Sequence, residues 1–175
     1  MQQYPDLLGG TSAWFYDALA AQLPQINAEL AARIVGVAPV FVLAFGRQVN
    51  VSQPTIAVIV DYAQPPQLIA QHSYNHFVGA TAVIYIPHVA SDTSGAYEVC
   101  KQVCSNNLVQ MFSSDEALSL RPAINAGIIP LLYAENTNLS RVLECFPLRM
   151  ADDKTVVRAF ERTLTVVFNL QYLAS

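Results

Sequence analysis

The residues with most capacity for chemistry are the histidines, the cysteines and a few adjacent carboxylates. His72 and His76 have the i, i+4 spacing of a helical metal pair. The glutamate of a metalloprotease motif is missing from His72-Ser73-Tyr74-Asn75-His76, and no third ligand is evident. The segment is also expected to pass from helix to strand there, so surface or half-buried histidines are expected and no metal is assigned. Cys100 and Cys104 stand one turn apart on the apolar side of an expected helix, with Lys101 off that side. Thiolate activation needs a neighbouring cation or a helix N-terminus, so both thiols are assigned to core packing. With Cys145 they make an odd count lacking a CxxC pair. Reduced thiols in a cytoplasmic protein are the simplest account.

Other motifs carry less. Gly9-Gly10-Thr11 before a helix would suit an anion, but no Walker lysine follows and Leu7-Leu8 is too short for the preceding strand. Asp115-Glu116 and Asp152-Asp153 fall in loop-like segments, where solvated acids are the rule. No Gly-x-Ser-x-Gly elbow accompanies the histidines. The chain is not expected to be an enzyme, and no catalytic residue or cofactor is assigned.

The elements that would position these residues form one α+β domain. Thr11 or Ser12 can cap a helix from Ala13 to Leu23, Pro24 breaks or restarts it, and Ile26, Leu30 and Ile34 continue an apolar stripe. Residues 1–11 are expected as a flexible arm. Val37–Phe45, Thr55–Asp61 and Tyr74–Pro87 are rich in β-branched and aromatic residues and read as strands. Pro65-Pro66 opens a detour between the last two. From Gln48 to Ser91 the only formal charge is Asp61, which suggests strands packed on both faces or one face covered by a neighbour. Ala96–Phe112 is the best amphipathic helix. A loop over Asp115–Pro122 and short strands at Ile128–Ala134 and Val142–Leu148 follow. The alternation Phe160, Arg162, Leu164, Val166, Phe168, Leu170, Tyr172 marks a half-buried strand about twice the common length. Its other face, Thr163, Thr165, Asn169 and Gln171, lacks the lysines that protect a sheet edge. Such a strand is central, or it pairs across a subunit boundary. The expected architecture is a mixed, mostly antiparallel sheet flanked by the N-terminal helix and the amphipathic helix.

Composition narrows the function. The chain has 175 residues, 53% hydrophobic and 13% charged, against a usual charged share of about 25%. That balance excludes a disordered tail. A net charge of −4 and a pI near 5.2 exclude a generally basic nucleic-acid binder. No apolar run approaches the roughly 20 residues of a membrane helix, and the first residues lack the pattern of a signal peptide. Few charges leave polar uncharged residues, or another protein chain, to cover the surface. The exception is Arg149–Arg162, which carries Asp152, Asp153, Lys154, Arg158 and Glu161 between two strands. It is expected as a mixed-sign hairpin, either merely solvated or a docking loop that sets partner and register.

The element order, with Gly95-Ala96-Tyr97-Glu98-Val99 opening the amphipathic helix, Leu120-Arg121-Pro122 after it and the ending Arg162-Thr163-Leu164-Thr165-Val166-Val167-Phe168, resembles a family of small tailed-bacteriophage proteins. These are the tail terminator or tail-completion proteins, typified in the phage Mu tail-gene cluster. The resemblance in element order spans about residues 12 to 173; Tyr62–Tyr74 and the charged run after Leu148 depart from it. It implies a virion structural protein, made in the host cytoplasm, whose copies form a homo-oligomeric, hexameric ring on the last layer of tail-tube protein. That ring would meet the head–tail connector or neck protein, with DNA only passing through its lumen and no membrane involved. Candidate assembly contacts are Asp152, Lys154 and Arg158 on the hairpin, with Thr165 and Asn169 on the terminal strand. A neck or collar ring is the nearest alternative. A small hydrolase using His72, His76 or His88, and a homodimer binding an apolar ligand, are alternatives from other classes.

Overall fold

The computed structural model describes residues 6–46, 52–70, 73–87, 95–112, 139–150, 154–156 and 159–173. Their elements run α1 (Leu7–Arg33), β1 (Val42–Phe45), β2 (Thr55–Ala70), β3 (Ser73–Pro87), α2 (Ala96–Phe112), β4 (Leu139–Met150), β5 (Lys154–Val156) and β6 (Ala159–Leu173).

α1 starts earlier than the sequence suggested and does not stop at its proline. Asp6, not Thr11 or Ser12, is the N-cap: its carboxylate accepts the Gly9 N–H at 2.8 Å. Gly9-Gly10-Thr11 lies inside the helix, where the chain's own carboxylate fills the role an anion would have. Leu7 and Thr11 are buried, so the expected arm over 1–11 is corrected to helix from Leu7 onward; residues 1–5 lie outside the described set. Pro24 sits within 27 continuous helical residues. Proline removes one helical hydrogen bond, but Pro24 and Ala20, whose carbonyl loses that bond, are both exposed, so the loss falls on the solvent side of the helix and not in the core. Phe15 and Leu19 before the proline and Ile26 and Leu30 after it are all buried, which holds both halves on one core.

After α1 the chain turns through Gly36 at φ +106°, a conformation that glycine adopts freely. Asn27 then captures Phe41 twice, accepting its N–H at 2.9 Å and donating to its carbonyl at 3.2 Å. The strand expected from Val37 therefore begins only at Val42.

The sheet runs β1-β2-β3-β6-β4, with β5 also on β6. β1 is parallel to β2 and every other pair is antiparallel. The detour expected at Pro65-Pro66 is instead part of β2, at a register shift between Gln64 and Gln67. Prolines are tolerated at sheet edges and bulges, and β1 reaches only as far as Val58. β6 lies between β3 and β4, the central placement its alternation allowed. β4 includes the expected Val142–Leu148; Asp115–Pro122 and Ile128–Ala134 lie outside the described residues.

Both helices cover one face. Even-numbered strand residues Ile56, Val58, Val78, Ala80, Ala82, Ile84, Leu164, Val166, Phe168 and Leu170 share a core with Phe15, Leu19, Ile26 and Leu30 of α1 and Cys100, Val103, Cys104 and Leu108 of α2. Trp14 meets Phe168 edge-on at 5.8 Å, a favoured aromatic geometry. The opposite face holds a smaller cluster of Ala57, Val83 and Tyr85 with Ile59 against it. The fold is α+β, with a mixed, mostly antiparallel sheet and the two helices, as expected from the sequence. Of the two readings of the neutral strands, packing on both faces or one face covered by a neighbour, the first holds for β2 only through Val58; residues 61–70 are exposed within the chain.

Candidate functional site

The five candidate contacts separate into two groups. Asp152 and Arg158 lie outside the described residues. Lys154 opens β5 and stands at the register position opposite Glu161. Thr165 and Asn169 sit on β6's odd-numbered face, away from the helices. Thr165 is half-buried and shares a 2.9 Å hydroxyl hydrogen bond with Thr81 across the β3–β6 pair. Asn169 is only 7% exposed, between the register positions of Phe77 and Glu144, and its Oδ1 has no hydrogen-bond partner among the described residues. Thr165 therefore has a partner within the chain, while Asn169 keeps an unused acceptor.

A second surface was only partly legible in the sequence. In the β2–β3 hairpin every residue from Asp61 to Ala70 is exposed, with Tyr62, Leu68 and Ile69 among them. Asp61 turns its carboxylate onto the Tyr62 N–H at 2.8 Å, capping a donor of the outer strand. The sequence signal was the missing charge. Its placement needed the register, because a neutral strand reads alike whether buried or bare.

The chemical candidates resolve differently. His76 lies on β3 between the rings of Tyr62 and Tyr74, at 6.2 and 6.4 Å; partial burial lowers its pKa from the ordinary 6.5. His72 and His88 lie outside the described residues. Cys100 and Cys104 are thiols buried in the core, and burial, with Cys100 beside it, pushes the Cys104 thiol far above its ordinary range. A thiol so placed packs; it does not attack. Among the described residues no group of three or more His, Cys, Asp and Glu could hold a metal ion. Among them, too, no helix is long and apolar enough to cross a membrane.

Sequence reading missed the polar clamp between the helices. Asn107 is 2% exposed; it accepts from Gln22 Nε2 at 2.9 Å and donates to Glu29 Oε2 at 3.4 Å and the Val103 carbonyl at 3.0 Å. Buried amides persist when their partners are supplied, and here they fix how α2 lies along α1. Arg162, the charged member of β6's apolar series, donates to Ser105 Oγ at 3.0 Å. Its place in that alternation was the available signal, since a buried-face arginine requires a partner. No protein-family model matches this chain, and no curated protein sequence matches it.

Proposed function

We propose that this chain is a structural protein of a bacteriophage tail: a terminator whose copies close into a ring, cap the tail tube and join it to the head-side connector. The observation that carries the reading is the run 61–70, exposed throughout with Asp61 as its only charge. A self-contained globule would place more than one charge on so exposed a strand to keep it soluble. A subunit that completes itself against sister copies needs none.

Function on this reading is geometry. Each subunit offers one patch to a neighbour and a complementary patch to the next, and the rotation closes. The tube-facing end binds the last layer once and offers no surface for another. A net charge of −4 suits a lumen that passes DNA without holding its phosphates. Asp152, Lys154 and Arg158 serve as the docking loop, where paired charges select partner and register.

Light scattering on the purified chain, followed by electron microscopy with tail tubes, tests the reading. Hexamers, or monomers that form hexamers only on tube ends, are expected. A soluble monomer that neither closes nor binds tubes overturns it. Reversing the charges (Asp152→Lys, Lys154→Glu, Arg158→Glu) is expected to leave a folded protein with defective tail joining, and normal joining would remove these three residues from the docking surface.

A further inference from the structure

One flank of the sheet is nearly uncharged and bare. Its first part is the turn before β1, where Val35, Val37 and Val40 are 100%, 99% and 59% exposed. The turn is not loose at its end, because Asn27 holds Phe41 by both backbone groups. Its second part is β2's outer edge. β1 stops pairing at Phe45↔Val58, and beyond it Tyr62, Leu68 and Ile69 are 44%, 64% and 52% exposed. Phe45, 56% exposed, stands between the two parts with its ring stacked on Tyr16 at 4.3 Å. From Ile34 to Phe45 there is no charge, and from Ser52 to Ala70 only Asp61.

We propose that this flank is the surface on which a second copy of the chain docks. Area is the first argument. The seven apolar residues together leave on the order of 800 Å² in water, one partner's share of a standard interface. Charge is the second. Among the flank's described residues nucleic acid would find no basic group and a charged protein only Asp61, whereas a second copy of a chain with 13% charged residues brings a surface equally poor in charge. The backbone is the third. Gly46 donates to the Val58 carbonyl at 2.8 Å, so Val58 turns its polar groups outward. Val60, two residues on, repeats that orientation beyond the last β1 pair. A lipid surface would accept the side chains and leave such backbone groups unpaired; a protein strand satisfies both. Asp61 on the Tyr62 N–H and the two prolines bound the open edge, which favours one limited contact over indefinite strand addition. The inference shares the exposed run 61–70 with the tail reading and adds to it the turn before β1; it requires self-association but no tail tube.

Sedimentation of the full chain over about 1–100 μM tests it. Two double variants probe the two ends of the flank: Val35→Asp with Val37→Asp, and Leu68→Lys with Ile69→Lys. Val35→Ser with Val37→Ser separates lost apolar area from introduced charge. Because Val35 and Val37 are fully exposed, circular dichroism and melting should not change. The expected result is a self-associating wild type whose association weakens at least about tenfold in the variants. A wild type monomeric throughout, an association that none of the variants alters, or a monomer that sediments with phosphatidylcholine vesicles overturns it. Rings that persist in the flank variants would overturn this inference and remove the exposed run as support for the tail reading, while the ring itself would still stand. Dimers that the variants dissociate, from a chain that never forms rings, would do the reverse.

Discussion

Asp6, Thr165 and His76 each make a contribution that substitution can isolate. Asp6 caps α1 through the Gly9 N–H. Asp6→Ala is expected to cost about 1 kcal/mol in urea unfolding, since one first-turn donor loses its fixed acceptor. Thr81 and Thr165 satisfy each other across β3 and β6. Thr81→Val and Thr165→Val alone should each cost about 1 kcal/mol, and the double variant little more than either, because two apolar partners leave no orphaned hydroxyl. A double-mutant cycle that came out additive would refute that pairing. His76 gives a pH dependence. Its folded pKa is depressed by burial, so the folded chain favours the neutral ring and the unfolded chain takes up the proton first. The stability tied to His76 is therefore complete above its ordinary value of 6.5 and declines as pH falls below it. Melting from about pH 7.5 to about pH 5 should show this decline, and His76→Gln should flatten it relative to wild type.

At the scale of elements, β6 shows how far a pattern carries. Its alternation assigned Leu164, Val166, Phe168 and Leu170 to one face, and all four are buried against the helices. It also ranked the strand as central or shared between subunits, and within the chain β3 and β4 take both of its edges. Phe168→Ala is expected to cost about 3–5 kcal/mol, because the ring fills the core and meets Trp14. α2 was legible to its ends for the same reason: Gly95 at φ +70° starts it and Cys100, Val103, Cys104 and Leu108 form one buried stripe. The two prolines of β2 and Pro24 of α1 misled in the same way. A proline excludes itself from an interior position that needs its N–H; at an exposed helix face or an open sheet edge nothing is asked of that N–H. Exposure is a tertiary property, so the local rule could not decide these cases.

For the molecule as a whole, stability is unevenly spread along the sheet. β3 and β6 are paired on both sides over long stretches, whereas among the described residues β2 beyond Val58 is paired to β3 alone. Hydrogen exchange should therefore be slowest in Val78–Ile84 and Leu164–Phe168, and fastest among the hairpin residues 61–70. If the docking flank is occupied by a second copy, protection at Val60 and Tyr62 should rise with protein concentration. Unchanged exchange there, alongside self-association, would place the contact elsewhere.

Hydrophobic periodicity and the scarcity of charge were enough, from the sequence by itself, to determine an α+β domain, the length and buried face of β6, the limits of α2 and the neutral character of the middle strands. These follow from local geometry, because the periods of helix and strand are written in consecutive side chains. Tertiary structure alone decided which neutral strand is buried and which is bare, that Asn107 and Arg162 have partners on other elements, and that Pro24 stays helical. Each of those outcomes depends on what lies across from a residue far away in the chain, and a single strand's pattern holds no record of its neighbour.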